Sequence, residues 1–200
     1  MMKFVLASGN PGKVREIAEI FADLGVEVVP QSKFAIESPP ETGTTFVENA
    51  LLKAHFAASI SGLPALADDS GIMVDALDGR PGVYSARYAG DGASDEHNVD
   101  KLLHELDTVV EAERGAGFHC AAVLVWPQKE PLISEAVWRG QILTRRQGAG
   151  GFGYDPVFFD ASIGKTGAQM SPKEKNSVSH RGKAFRQLKA LIRDAHDLTR

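Results

Sequence analysis

The opening of the chain constrains the fold most. Residues 3–8 form a short apolar run of strand type, and Ser8, Gly9, Asn10, Pro11, Gly12 and Lys13 turn it into the next element. A helix start exposes N–H groups without intrahelical partners, so Asn10 suits the N-cap and Pro11, which has no N–H to lose, the first helical position. Val14, Ile17, Ala18, Phe21 and Leu24 then recur at helical spacing, and Gly25 ends the run. Residues 26–29 read as a second strand. Strand, tight turn, helix and strand in succession predict an α/β fold.

The remaining pattern extends this layout. Pro39 and Pro40 break residues 31–43 into a loop. Thr45 and Glu48 frame a capping box, which predicts a second helix. One face of that helix carries Val47, Ala50, Leu51, Ala54, Ala57 and Ala58, and a neighbouring face Phe46, Asn49 and Lys53; Gly62 and Pro64 stop it. Residues 65–67 read as a short strand running into Asp68, Asp69, Ser70 and Gly71, with a separate strand at 72–77. Residues 78–92 are loop-like and rich in glycine, and Ser94 caps a third helix to about 106. Two long strand-type runs, 117–126 and 132–142, predict a hairpin turning near 127–131. After a glycine-rich loop at 147–156, Ser171 and Glu174 frame another capping box on a short turn. Ser179 is placed to cap a last helix with the stripe Ala184, Phe185, Leu188, Leu191, Ile192 and Ala195. With no internal repeat and no clean linker, residues 1–200 read as one domain, or one domain with two lobes.

Composition narrows the function classes. Hydrophobic residues make up 43% and charged residues 24% of the 200, an ordinary globular balance that excludes a disordered chain. The formal net charge is −4 and no Lys/Arg run stands out, which argues against nucleic acid as a partner. A small anion is still admissible, since it needs only a few converging cations. The first apolar run is shorter than a secretory core or a membrane span, so neither a leader nor a membrane partner is expected. Cys120 is the one cysteine and sits in an apolar run; a disulfide framework is excluded, which fits a reducing, cytoplasmic compartment.

Four stretches carry candidate chemistry. The 8–13 turn puts small residues, backbone N–H groups and Lys13 at a helix N-terminus directly after a strand, a geometry that favours an anion. It is not a Walker A loop, because Val14 stands where that loop needs a hydroxyl, so a phosphate-bound Mg²⁺ would have to be held by carboxylates. The plain alternative is a capped helix start with a surface lysine. Asp68 and Asp69 sit at an expected strand end, where α/β sheets bind ligands; the alternative is an exposed turn. Ser179, His180 and Arg181 place two cationic side chains in a helix's first turn, against its dipole, which makes sense where something electron-rich binds; the alternative is two solvated side chains. Gly150, Gly151, Phe152, Gly153, Tyr154, Asp155 and Pro156 set aromatics among glycines, as a base-stacking platform does, or as an ordinary turn with core aromatics. No His-Glu-x-x-His pair, zinc-spaced Cys/His set or Gly-x-Ser-x-Gly elbow is present.

Taken in order and spacing, these residues resemble the ITP/XTP pyrophosphatases, which clear non-canonical purine nucleoside triphosphates. The landmarks are Ser8-Gly9-Asn10-x-x-Lys13, Glu41-Thr42-Gly43, Phe46-x-Glu48-Asn49-Ala50-x-x-Lys53-Ala54 and Ala67-Asp68-Asp69-Ser70-Gly71. They continue with Pro81-Gly82-Val83-Tyr84-Ser85-Ala86-Arg87, Gly151-Phe152-Gly153-Tyr154-Asp155-Pro156, Glu174-Lys175-Asn176 and Ser179-His180-Arg181. The resemblance implies a mixed central β-sheet with helices on both faces, in two lobes around an active-site cleft. It implies triphosphate against Ser8, Gly9, Asn10, Pro11, Gly12 and Lys13, with Lys53 a further cation. It implies Mg²⁺ on Glu41 and Asp69, Asp69 as the base that prepares water, and nucleotide binding by Ser70, Phe152, Gly153, Tyr154, Asp155, Lys175, His180 and Arg181. Donors from His180, Arg181 or backbone N–H groups would meet the 6-oxo group of the base. A homodimer is implied as well. Pro40 stands where the family often has an acidic residue, leaving Glu41 as the loop's carboxylate, and Gln169 replaces a common acidic residue. Two other readings compete: a different phosphate enzyme, either an NTPase releasing orthophosphate, told apart by its product, or a pyrophosphatase acting on other modified nucleotides, and a nucleotide sensor without turnover.

Overall fold

The structure, a computed structural model, describes residues 2–127 and 129–197, with no side-chain description for 195–197. Its strands are β1 (Met2–Leu6), β2 (Val26–Pro30), β3 (Ala65–Val74), β4 (Gly115–Val125), β5 (Leu132–Ile142), β6 (Phe158–Asp160) and β7 (Lys165–Thr166). Its helices are α1 (Pro11–Phe21), α2 (Phe46–Ser61), α3 (Asp95–Glu105), α4 (Pro172–Val178) and α5 (His180–Asp197). The fold is mixed α/β. The strands form one open sheet in the order β2-β1-β3-β4-β5-β6-β7. β1 runs parallel to β2 and β3, while β6 runs antiparallel to β5 and β7.

Local chemistry starts each helix where the pattern predicts. Asn10 caps α1, its Oδ1 accepting from the N–H groups of Gly12 and Lys13, and Pro11 takes the first position. Thr45 and Glu48 close their capping box on α2, Ser94 caps α3, and Ser171 and Glu174 close a box on α4. α1 ends at Phe21, and Ala22–Leu24 tighten into a 3₁₀ turn before Gly25 takes a left-handed φ of 65°.

The chain divides into two compact units. The first comprises Met1–Asp69, Cys120–Ala136 and Arg181–Arg200, and the second Ser70–His119 and Val137–His180. In the first unit the period of two in β1 sends Phe4 and Leu6 to one face and Val5 to the other. Phe4 and Leu6 join Ile17 and Phe21 of α1 and Phe185 and Leu188 of α5. Val5 joins Ala50, Ala54 and Ala57 of α2. Helices thus cover both faces of this part of the sheet, as expected. In the second unit, Ile72 and Val74 of β3 pack with Val99 and Leu102 of α3 and with Phe118, Trp138 and Phe158.

Some expectations change. Residues 65–74 form one continuous strand instead of two strands broken at 68–71. The Asp-Asp-Ser-Gly composition reads as a turn, yet both aspartates are buried and the extended backbone runs through them. Asp75–Leu77 is a 3₁₀ turn, and Gly82–Arg87 forms another inside the expected loop. β6 and β7, three and two residues long, are too short for any periodicity and were not anticipated. Leu191 is 38% exposed although it continues the α5 stripe, because Ile192 takes the core position. Ala195, the last residue of that stripe, lies outside the described side chains.

Candidate active site

The pleat of β3 organises the charged side chains of the first unit. Successive side chains of a strand leave on opposite faces. Asp68 shares a face with Leu66, in the cluster of α1 and α5, and Asp69 shares a face with Ala65 and Ala67, in the cluster of α2. Two adjacent carboxylates can therefore both be buried, at 1% and 7% exposure, without facing each other.

On the first face Asp68 meets two cations. Lys13 Nζ lies 3.1 Å from Oδ1 and 3.0 Å from Oδ2, and Arg181 donates from Nε to Oδ2 at 3.1 Å. Burial pushes the Asp68 carboxyl up, but Lys13, Arg181 and Lys53 outweigh it and hold it far below the usual carboxylate range. Arg181 also stands 3.7 Å from Glu16. Arg181 is 4% exposed and His180 5%, so neither is a solvated side chain. Burial lowers the Lys13 ammonium. The 8–13 turn satisfies several of its own N–H groups: Asn10 donates its N–H to Ser8 Oγ at 3.2 Å, and Gly12 and Lys13 donate to Asn10. The orphan-donor argument for anion binding therefore gives way to a charge argument, carried by Lys13 and the α1 dipole.

On the other face Asp69 meets α2. Lys53 Nζ donates to Asp69 Oδ1 at 2.9 Å and to Glu41 Oε1 at 2.6 Å, so these two carboxylate oxygens lie no further apart than the 5.5 Å to which the two legs add. Asn49, one turn earlier on α2, donates from Nδ2 to Asp69 Oδ2 at 3.3 Å. Its Oδ1 accepts from the Gly43 N–H at 2.8 Å. A Cβ on Gly43 would stand 2.7 Å from both Asn49 Oδ1 and Glu48 Cβ, so the loop carrying Glu41 passes too close to α2 for any other residue. Burial and the nearby Glu41 push the Asp69 carboxyl up, and Lys53 only partly offsets them. Burial likewise pulls Lys53 down, and Asp69, Asp68 and Glu41 reverse it.

The charges are thus polarised within one unit. Around Asp68 two cations meet one carboxylate, and around Lys53 two carboxylates meet one ammonium. One end suits an anion and the other a cation.

The second unit holds a separate group. Asp155, 2% exposed, accepts the Phe152 N–H at 2.8 Å and pairs with Lys175. Lys175 Nζ lies 4.5 Å from the centroid of the Phe152 ring, which is 41% exposed. Gly153 donates its N–H to Asp95 at 2.6 Å. Gly151 has φ 75°, and a Cβ there would lie 2.1 Å from Asp155 Oδ2, so only glycine fits. Tyr154 is a core residue whose hydroxyl donates to the Ser85 carbonyl at 2.8 Å. His180 stacks on Phe118, with centroids 4.8 Å apart and planes 8° apart. Ser70 is half-buried in β3.

Of the expected site residues, the first unit brings Lys13 and Arg181 together on Asp68, and Glu41, Lys53 and Asp69 together on the other face of β3, with Ser8, Gly9, Asn10, Pro11 and Gly12 forming the turn before Lys13. The second unit brings Phe152, Asp155 and Lys175 together, leaves Tyr154 in its core, and also holds Ser70, Gly153 and His180. Two residues of these groups, Asp68 and Asn49, are not among the expected site residues. Asp68 appeared only as half of an acidic pair, and Asn49 only as part of a helix face. Reading 65–74 as one strand would have put the two aspartates on opposite faces, each requiring its own cation.

The profile of the Ham1 family matches residues 4–191. The chain is 53% identical over 197 residues to the dITP/XTP pyrophosphatase of Yersinia pseudotuberculosis serotype I (strain IP32953), covering 98% of this chain and 100% of that protein. It is 51% identical over 196 residues to the dITP/XTP pyrophosphatase of Vibrio vulnificus (strain YJ016), covering 97% and 98%. Among solved structures it is similar to a HAM1 protein from Coxiella burnetii, with a TM-score of 0.91, 44% identity and 97% and 100% of the two chains covered. The Staphylococcus aureus Ham1 protein superposes with a TM-score of 0.87 at 40% identity, covering 96% and 99%.

Proposed function

Because the chain belongs to the Ham1 family, we propose that it hydrolyses non-canonical purine nucleoside triphosphates, dITP, ITP and XTP, to the monophosphate and pyrophosphate, with Mg²⁺ as cofactor. The observation that carries this reading is the polarised pair of faces at Asp68 and Asp69. A Mg²⁺–triphosphate complex needs both kinds of surface close together, cations for the phosphate oxygens and carboxylates for the divalent ion that those oxygens also bind.

Glu41 and Asp69 fit Mg²⁺ by donor type: both offer hard carboxylate oxygens, and their approach around Lys53 concentrates negative charge. Among the described residues no three His, Cys, Asp or Glu side chains form a metal cage. That is no obstacle for Mg²⁺, which keeps waters and takes one or two carboxylates. Bound there, it would neutralise phosphate charge and polarise the reacting phosphorus. Lys13 and Lys53 place fixed positive charge for the pyrophosphate that leaves. Asp69, kept ionised by neighbouring cations, would act as the general base that takes a proton from the water attacking the α-phosphorus. Ser70, Phe152, Gly153, Tyr154, Asp155, Lys175 and His180 are assigned to the nucleoside, with Phe152 stacking on the base. Arg181, committed to Asp68 and Glu16, belongs with the phosphate end. Discrimination against adenine follows from donors that meet a 6-oxo oxygen and would be left facing an amine.

The reading extends to a cytoplasmic homodimer acting on free nucleotides. A single buried cysteine suits a reducing compartment, and light scattering tests the dimer. Among the described residues no helix is long and apolar enough to cross a membrane. The deciding experiment incubates purified protein with dITP, XTP, ITP, GTP, ATP and dTTP, with and without Mg²⁺, and identifies the products. Pyrophosphate from the first three, dependent on Mg²⁺, is expected. Orthophosphate as the direct product, or equal rates with ATP, would overturn the reading.

A further inference from the structure

We infer that Asn49 is the positioning residue of the carboxylate pair: one side-chain amide fixes both the plane of the Asp69 carboxylate and the loop that carries Glu41. This rests on the proposed role of Glu41 and Asp69.

The geometry leaves the amide one orientation. An ionised carboxylate only accepts hydrogen bonds and a backbone N–H only donates, so Nδ2 must face Asp69 and Oδ1 must face Gly43. Asn49 is fully buried, so water does not replace either partner. Lys53, four positions on, bridges the same two segments through charge, from Asp69 Oδ1 to Glu41 Oε1. Asp69 is therefore gripped at both oxygens from one helix face, Oδ2 by a neutral donor and Oδ1 by a cation. Ion pairs act over distance and tolerate sliding, whereas a hydrogen bond is directional. The ammonium thus sets how closely the carboxylates approach, and the amide sets how they are turned. Gly43, with no room for a Cβ, brings the loop within reach of that amide.

Two variants separate positioning from mere support of the loop. Asn49→Asp keeps the shape and the acceptor for Gly43 but replaces the donor to Asp69 with a like charge. Asn49→Leu keeps the approximate volume and removes both bonds. Three quantities are read: kcat and KM for dITP with Mg²⁺, melting temperature, and the Kd of Mn²⁺ for nucleotide-free protein by water proton relaxation. Partners of metal-bearing side chains are worth about 10–100-fold in activity or metal affinity. Asn49→Asp is expected to fold and lose kcat by that factor with KM little changed, and Asn49→Leu to weaken Mn²⁺ by a similar factor. A wild-type kcat in Asn49→Asp would overturn the inference, leaving Asn49 as a loop anchor only, and so would a wild-type Mn²⁺ Kd in Asn49→Leu. If Asn49→Leu does not fold, Asn49→Asp decides alone. If the wild-type protein releases no pyrophosphate from dITP, the proposed function fails, and the Mn²⁺ titration still decides the role of Asn49.

Discussion

Lys13 and Asp68 form a two-pronged ion pair, with one ammonium 3.1 and 3.0 Å from the two oxygens of a carboxylate that is 1% exposed. The pair ties the first turn of α1 to β3, and Arg181 adds the first turn of α5 to the same carboxylate. Three segments distant in sequence thus converge on one buried charge. Removing it leaves buried cations without their partner, which typically costs about 3–5 kcal/mol. Asp68→Asn is therefore expected to lower unfolding free energy by about 3 kcal/mol, because Lys13 keeps some exposure and can relax outward. Urea midpoints measure this, and a loss under about 1 kcal/mol would contradict the role of Asp68 as the unit's electrostatic centre.

Asp69, the next residue, is expected to act mainly on turnover. Asn at 69 keeps the size, and Lys53 retains Glu41. It also relieves the repulsion between Asp69 and Glu41. Asp69→Asn should keep the fold, at a cost of about 1–3 kcal/mol for the amide N–H that must face Lys53 or Asn49, and reduce dITP turnover by at least about 10²–10⁴-fold, the usual worth of a general base. Turnover within a few-fold of wild type would remove Asp69 from the chemistry.

The contrast between these neighbours shows what could be read from sequence. Helix starts were legible because a cap is local: Asn10, Thr45 with Glu48, and Ser171 with Glu174 each act within three residues. The continuity of β3 was not, because Asp68, Asp69, Ser70 and Gly71 have turn chemistry and are held extended by partners far away. Lys13 and Arg181 lie 55 and 113 positions from Asp68. The convergence of Glu41 with Asp69 rested on family resemblance, since nothing in the spacing of residues 41, 53 and 69 states that one ammonium joins them.

Glu105 predicts a pH dependence of stability in the second unit. Its Oε2 accepts from the Tyr88 hydroxyl at 2.6 Å and from Arg80 at 2.8 Å. Burial pushes this carboxyl up, but Tyr88 and Arg80 outweigh it and hold it below the ordinary range. A depressed folded pKa contributes stability above the unfolded value, about 4.3, and that contribution is lost as pH falls through the folded value. Glu105→Gln should therefore cost on the order of 1–2 kcal/mol at neutral pH. The gap from wild type should close below about pH 4. A gap independent of pH in denaturation curves would refute the assignment.

Phe152 is expected to act on binding and little else. Its ring is 41% exposed, so removing it creates no cavity and the melting temperature should hardly move. What keeps it in place is local: Asp155 holds both the Phe152 N–H and Lys175, and the Lys175 ammonium stands 4.5 Å from the ring centroid. Base–aromatic stacking is worth about 1–3 kcal/mol, which is about 5- to 150-fold in affinity. Phe152→Ala should raise the KM for dITP by that factor with a much smaller change in kcat. Phe152→Trp should restore binding, because it keeps a π face, whereas Phe152→Leu should not, because it supplies only apolar cover. A leucine variant as good as tryptophan would mean that the base is shielded from water at this position without being stacked, and an alanine variant with wild-type KM would mean that the base does not reach Phe152.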